Sequence, residues 1–433
     1  MLSTTARHWL AVELSTKSRT LSRMSHRCEI QLDNPRGAYR AGDTVNGHVY
    51  LTLSERALIK AICLEANVYA STAWQQPQKQ KNKKKNDPQV VLQSLDFDYR
   101  VDFFAKIDYF VGSEVAQPQI MEAGTYNYGF HVKLPKNCAG NFEGAHGHIR
   151  YTLQVLIHSS ADRPQEVLHV RQLQIFPQNS LSQETRSCEF QIYEQTPRLK
   201  FWMKPLHLQI QIPRQGYSPG AGISVHVKLH NPEKLLLREV VYSLVQISTY
   251  VAHLRNKPKR MESKVERQTV VSSRHELHNL PRGELQNFQH LHMLQVPQTA
   301  ATLSAAGCAC LQLNYEVEVL LTTQQEKRFI AARMPVIIGN VTPPCPGKLL
   351  MQEPMEGTAP QPTPPVETAS KLVPNFSVST TSLASDFREA EFMVATNLNK
   401  TNKHYLSGEQ LDFRPRYVYY EMDQTQSEDV KSQ

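Results

Sequence analysis

No apolar stretch in this sequence reaches the roughly 18 residues that a membrane-crossing helix needs, so any membrane contact is expected to be peripheral. Glycine is scarce beside proline, 18 against 26, and that much proline argues against a mostly helical protein. It suits many short strands joined by turns. Cysteine is sparse and unpatterned. Cys28, Cys63, Cys138, Cys188, Cys308, Cys310 and Cys345 are odd in number and match no disulfide framework, which reads as reduced thiols in a cytosolic protein. Catalytic signatures are missing as well. The chain has no Gly-x-Ser-x-Gly elbow, phosphate loop, dinucleotide fingerprint or His-Glu-x-x-His. Asp96, Asp98, Asp102 and Asp108 gather by sequence, but in an alternating stretch, LDFDYRVDFF, that reads as a strand with solvent-facing acids. The expectation is a protein that is not an enzyme, with no catalytic, cofactor-binding or metal-ligating residue.

What is present is enough apolar material, 40% against 20% charged, for packed cores. The formal charge of +8 points to acidic partners: anionic lipid, phosphorylated protein or nucleic acid. The first 23 residues are rich in Ser, Thr and Arg, with Glu13 as their one acid. Trp9 to Val12 is too short for a secretory core. Residues 1–27 are expected to be a disordered extension, with Met24 as an alternative start.

The chain repeats itself. A shift of 178 residues carries Tyr39 onto Tyr217, Gly42 onto Gly220, Val45 onto Ile223, Val49 onto Val227 and Leu51 onto Leu229, and runs on without a gap to Leu64 and Tyr242. Each half therefore opens with a Tyr-x-x-Gly turn, a strand, a turn and a second strand. The strands alternate: Val45, Gly47, Val49, Leu51 and Leu53 share one face, as do Ile223, Val225, Val227 and Leu229. The ends of the halves also correspond, Leu134-Pro135 with Val296-Pro297 and Tyr151 with Tyr315. Such alternation, punctuated by turns, predicts antiparallel sandwiches. The reading is all-β: two tandem β-sandwich domains, at 28–178 and 200–342, joined by a polar linker at 179–199. Residues 343–365 hold eight prolines, and a Ser/Thr cluster follows. The tail, 343–433, is expected to be flexible.

Two basic stretches occupy matching places in the halves. Lys79, Lys81, Lys83, Lys84 and Lys85 follow the first long strand pair of one. Arg255, Lys257, Lys259 and Arg260, with Lys264 and Arg267 beyond, follow that of the other. They are candidates for contact with anionic lipid headgroups or phosphorylated cargo, against the reading as solvated hairpin tips. Residues 75–90 hold no aromatics to stack on bases, so no nucleic acid is expected. Near the end, Phe413, Pro415, Tyr417, Tyr419 and Tyr420 form the segment FRPRYVYY, which has strand character and is a candidate for docking on a sheet edge. His290-x-His292 and Cys308-x-Cys310 could each converge on one strand face, but they lack the usual zinc spacing.

Three of these stretches resemble the arrestin family, specifically the alpha-arrestins or arrestin domain-containing proteins. LDNPRGAYRAGDTVNGHVYLTL (32–53) resembles the opening of the arrestin N-domain, NFEGAHGHIRYTLQVLI (141–157) its later strand pair, and PRQGYSPGAGISVHVKLHN (213–231) the start of the C-domain. The resemblance implies two immunoglobulin-like sandwiches, the arrestin fold, and no catalytic site. It implies a scaffold that binds cytoplasmic regions of membrane-protein cargo and recruits endocytic, sorting or ubiquitination machinery, in the cytoplasm with plasma-membrane or endosomal association. Many members hold HECT-type ubiquitin ligases through Pro-Pro-x-Tyr motifs. This chain has none; Pro415-Arg416-Tyr417, preceded by Arg414, comes nearest. The alternatives are a signalling scaffold or a decoy without ligase recruitment.

Overall fold

The alternation of apolar residues decides which face of strands such as β3 (Thr44–Leu53) and β16 (Gly222–His230) is covered. In the computed structural model, residues 26–81, 90–159, 165–177, 181, 190–197, 204–232, 235–277, 286–323, 329–340, 387–389 and 413–419 are described. The first half forms β1 (His26–Leu32), β2 (Ala38–Arg40), β3 (Thr44–Leu53), β4 (Ala57–Ile59), β5 (Ala61–Lys81), β6 (Val90–Gly112), β7 (Gln119–Met121), β8 (Gly124–Lys133), β9 (Phe142–Gly144), β10 (Gly147–His158), β11 (Glu166–Gln172) and β12 (Gln174–Phe176). The second forms β13 (Gln191–Gln195), β14 (His207–Ile212), β15 (Gly216–Tyr217), β16 (Gly222–His230), β17 (Leu237–Leu254), β18 (Lys257–Glu276), β19 (Asn287–Gln295), β20 (Leu311–Thr323) and β21 (Phe329–Ile338). Two short strands follow in the tail, β22 (Phe387–Glu389) and β23 (Arg416–Val418). Among the described residues no helix is long and apolar enough to cross a membrane.

Each half is a sandwich. In the N-domain the sheet β1-β3-β8 packs on β11-β10-β5-β6, and in the C-domain β13-β14-β16-β19 packs on β18, β17, β20 and β21. Val45, Val49, Leu51 and Leu53 of β3 and Ile223, Val225, Val227 and Leu229 of β16 are all buried, so the paired faces read from the sequence are the covered ones. The repeat also has a local meaning. Gly42 and Gly220 both adopt positive φ, +86° and +93°, a conformation that side chains on L residues resist. Next to each, the Asp43 or Ala221 carbonyl accepts from the Leu134 or Val296 N–H, 2.9 Å in both domains. The same turn thus fixes the same strand end twice.

The two sandwiches share one sheet. β6 of the N-domain pairs with β17 of the C-domain, Asp98 opposite His253 and Phe97 opposite Leu254. Thr72 donates across the junction to the Val251 carbonyl at 2.6 Å, and Arg255 N–H to the Asp96 carbonyl at 2.9 Å. At the far side Asn340 donates to the Pro177 carbonyl at 2.7 Å while its own carbonyl accepts from Leu181 N–H at 3.0 Å. Consequently the N-domain core includes C-domain side chains, among them Tyr250, Leu303, Cys310 and Leu313.

Two features differ from the linear reading. β13 lies inside the stretch read as linker, because QIYEQ is an edge strand half-buried on one face and exposed on the other, with no apolar stripe. The basic stretches are also not equivalent in place. Lys79 and Lys81 belong to the outgoing strand β5, whereas Lys257, Lys259 and Arg260 open the returning strand β18, since the N-domain hairpin is the longer.

Candidate functional site

The tail segment 413–419 occupies the crevice between the sandwiches. Tyr417 is 7% exposed, inserted among Phe142, Ile149 and Ile175 of one domain and Ala300, Leu303 and Leu313 of the other. Its backbone is held by one side chain. The Gln174 amide donates to the Arg416 carbonyl at 3.0 Å, and Gln174 Oε1 accepts from Arg416 N–H at 2.9 Å. Val418 packs on Ala38 and Phe176, Pro415 is buried, and Phe413 and Tyr419 are half-buried. β23 then pairs antiparallel with β22, Tyr417 opposite Arg388. An extended segment that gives both main-chain groups to one amide and one aromatic ring to a crevice is the geometry of peptide recognition. Tyr420 lies outside the described residues.

Beside this crevice sits a buried ion pair. Arg150 donates twice to Glu143, at 2.6 and 2.9 Å, with the two side chains 1% and 3% exposed. Burial pushes the Glu143 carboxyl up, opposed by the Arg150 charge and its hydrogen bonds. Next to it, a Cβ at Gly144 would meet the hydroxyl of Tyr250 from the C-domain, so glycine is what permits this approach. Tyr250 in turn donates to Glu266 at 3.0 Å.

The basic start of the C-domain strand β18 lies against an aromatic pair of the N-domain at the shared sheet. Trp74 and Phe97 stack with centroids 5.6 Å apart; Lys264 Nζ lies 5.3 Å from the Trp74 ring and the Arg260 guanidinium 5.9 Å from Phe97. Lys79 and Lys81 continue β5 beyond Trp74, while Lys83, Lys84 and Lys85 lie outside the described residues. Part of the charge is answered locally. Arg255 meets Asp98 at 3.3 Å, Arg260 meets Glu262 at 2.5 Å, and Arg267 meets Glu316 and Glu318. Such exposed pairs contribute little to stability. Among the described residues, Lys257 and Lys259 are exposed and have no carboxylate within ion-pair distance.

Residues 28–176 match the model for the arrestin (or S-antigen) N-terminal domain, and residues 202–343 match that for the C-terminal domain. The chain belongs to the arrestin family. This arrestin is 25% identical over 333 residues to arrestin domain-containing protein 17 of Caenorhabditis elegans, covering 73% of this chain and 70% of the relative. It is 22% identical over 322 residues to arrestin domain-containing protein 4 of Homo sapiens, covering 71% and 70%, and 23% identical to the mouse protein of the same name over 324 residues. Membership in the arrestin family points to a non-enzymatic adaptor or scaffold.

Glu143 and Arg150 both lie in the segment 141–157, but nothing in the sequence pairs them. A charged residue inside the apolar strand HIRYTLQV was the available signal, since such a charge needs a buried partner. Gln174 left no signal, because only tertiary contact reveals that its amide holds the tail. His290 and His292 meet His275 and Tyr242 at the β18–β19 edge, whereas Cys308 and Cys310 sit in the core beside the crevice, so the two pairs are not assembled together. Among the described residues no group of three or more His, Cys, Asp and Glu is placed to hold a metal.

Proposed function

We propose that this arrestin is a trafficking adaptor that works at the cytoplasmic face of the plasma membrane or endosomes. It holds cytoplasmic segments of membrane-protein cargo and links them to endocytic or sorting machinery. The observation that carries the reading is the exposed basic corner formed by the start of β18 at the sheet shared by the two domains, where Lys257 and Lys259 have no carboxylate within ion-pair distance among the described residues. A lysine near an anionic surface contributes roughly 1 kcal/mol, so a cluster of this size supports reversible peripheral binding. Anionic headgroups and phosphorylated cargo tails share the chemistry that such a corner attracts.

Proximity labelling in cells tests the role. Membrane proteins and endocytic proteins should be labelled by the full chain and lost when Lys79, Lys81, Lys83, Lys84, Lys85, Arg255, Lys257, Lys259 and Arg260 are all changed to Glu. An unchanged set of neighbours would remove the basic corner from the account, and a set without membrane proteins would remove the adaptor role.

A specific observation also favours the second reading, an adaptor that does not recruit a HECT-type ligase through this segment. Pro415 and Tyr417, the residues nearest to a Pro-Pro-x-Tyr motif, are buried, and a WW-domain groove would need both exposed.

A further inference from the structure

Cys308 and Cys310 come together at the end of a short loop that backs onto the tail crevice. Leu303 and Leu313 bond each other through both main-chain groups at 2.9 Å, closing the loop. Within it the Ser304 carbonyl accepts from Gly307 N–H at 3.0 Å and Cys308 N–H at 3.1 Å; the chain bends at Ala309 and Cys310, and the Cys310 carbonyl accepts from Val251 N–H at 2.8 Å. A fully extended chain separates residues i and i+2 by about 6.6 Å at Cα, near the limit of about 6.8 Å that a disulfide tolerates. The bend shortens that path and turns both thiols inward, so that Sγ meets Sγ at 3.6 Å.

We propose that Cys308 and Cys310 form a reversible dithiol–disulfide pair that reacts with hydrogen peroxide. Cys308 is 2% and Cys310 0% exposed, and the loop residues next to them in the chain, Ser304, Ala305, Ala306, Gly307 and Ala309, are all small and exposed. A local opening of this loop admits a small neutral peroxide. The Cys308 thiolate attacks one peroxide oxygen and the O–O bond breaks; the departing hydroxide takes a proton and leaves as water. The Cys310 sulfur then attacks the Cys308 sulfenic sulfur. The S–S bond forms, the S–O bond breaks, and the hydroxide takes the Cys310 proton to give a second water. Two electrons pass from the two sulfurs to the peroxide.

The roles follow from the surroundings. The hydrogen bond with Cys310 and the N–H groups of Cys310 and Leu311 bring the Cys308 thiol down to about 7 against the opposing effect of burial. The same bond and burial push Cys310 up, so Cys308 is the nucleophile and Cys310 the resolving thiol. Burial pushes Cys28 and Cys63 up to about 12 and raises Cys138, so these thiols serve as internal controls.

Treatment of the full chain with hydrogen peroxide, followed by alkylation, proteolysis and mass spectrometry, decides the matter. The peptide holding both cysteines should become lighter by two hydrogen atoms, resist alkylation and recover both alkylation sites after dithiothreitol. Its reaction should outpace that of Cys28, Cys63 and Cys138 on the order of tenfold or more. In Cys310→Ser the reaction should stop at a Cys308 sulfenic acid that dimedone traps. Should that variant fail to fold, the mass of the native peptide remains decisive. Both thiols alkylated as fully as Cys63 after peroxide, an irreversible sulfinic product, or a disulfide to another cysteine would each overturn the proposal.

Discussion

Arg150 and Glu143 illustrate how a single residue type constrains its surroundings. Two charges that are almost fully covered attract strongly, but each has lost its water, so the pair is sensitive to removal of one partner rather than strongly stabilising in itself. Glu143→Leu or Arg150→Leu should therefore destabilise the N-domain by about 3–5 kcal/mol, read from denaturant midpoints. Replacing both with apolar residues of similar volume should cost much less than the sum of the two single changes. Additive costs would show that the residues do not act as a pair. Tyr417 gives a second test. Its hydroxyl is buried and has no hydrogen-bond partner among the described residues, and burial raises it well above its ordinary value. Tyr417→Phe should leave tail docking unchanged or slightly tighter. Tyr417→Ala should weaken it by about 3 kcal/mol, seen as faster amide exchange over residues 413–419. Aromatic character in the tail was legible as a docking signal, but its crevice was not, since its walls come from segments more than a hundred residues apart in sequence.

At the scale of elements, the edge where β18 meets β19 carries an acid response. His275 and His290 stack with centroids 3.9 Å apart, His292 stacks on Tyr242 at 4.6 Å, and Tyr242 bonds His290 Nδ1 at 2.6 Å. Burial, with His275 and His292 alongside, brings His290 down to about 4, and burial lowers His292 too. Both are neutral in the fold at pH 7 and take up protons more readily once unfolded. Stability from this edge is therefore complete above about pH 6.5 and declines as pH falls from there toward 4. Melting temperature should drop on acidification from pH 7 to pH 5, and His290→Gln with His292→Gln should flatten that drop. An equal slope in the variant would remove these histidines from the acid response. The pairing of His290 with His292 on one strand face was visible from their spacing, but His275 joins them only because β18 and β19 bring the two sheets together at that edge. The same limit hid β13. A half-covered edge strand lacks the apolar stripe that marked β3 and β16.

For the whole molecule, the shared sheet and the docked tail both contact the two sandwiches. A chain ending at residue 405 should show faster exchange around Gln174–Phe176 and Thr299–Leu303, which line the vacated crevice. Unchanged exchange there would mean that the tail contributes nothing to holding the domains together. Flotation with anionic liposomes gives the matching test of the basic corner. Charge reversal at Arg255, Lys257, Lys259 and Arg260 should reduce bound protein at low salt by on the order of tenfold or more, and added salt should mimic it for the native chain.

The sequence by itself determined the two-fold repeat, the pleated faces that go inside and the turns at Gly42 and Gly220. These are local matters, settled by period-two alternation and backbone conformation within a few residues. Only the tertiary structure decided that β6 joins β17, that Arg150 finds Glu143, and that Tyr417 enters a crevice walled by both domains. Those outcomes depend on contacts between segments far apart in the chain, where shape and the removal of water, rather than neighbouring residues, select the partner.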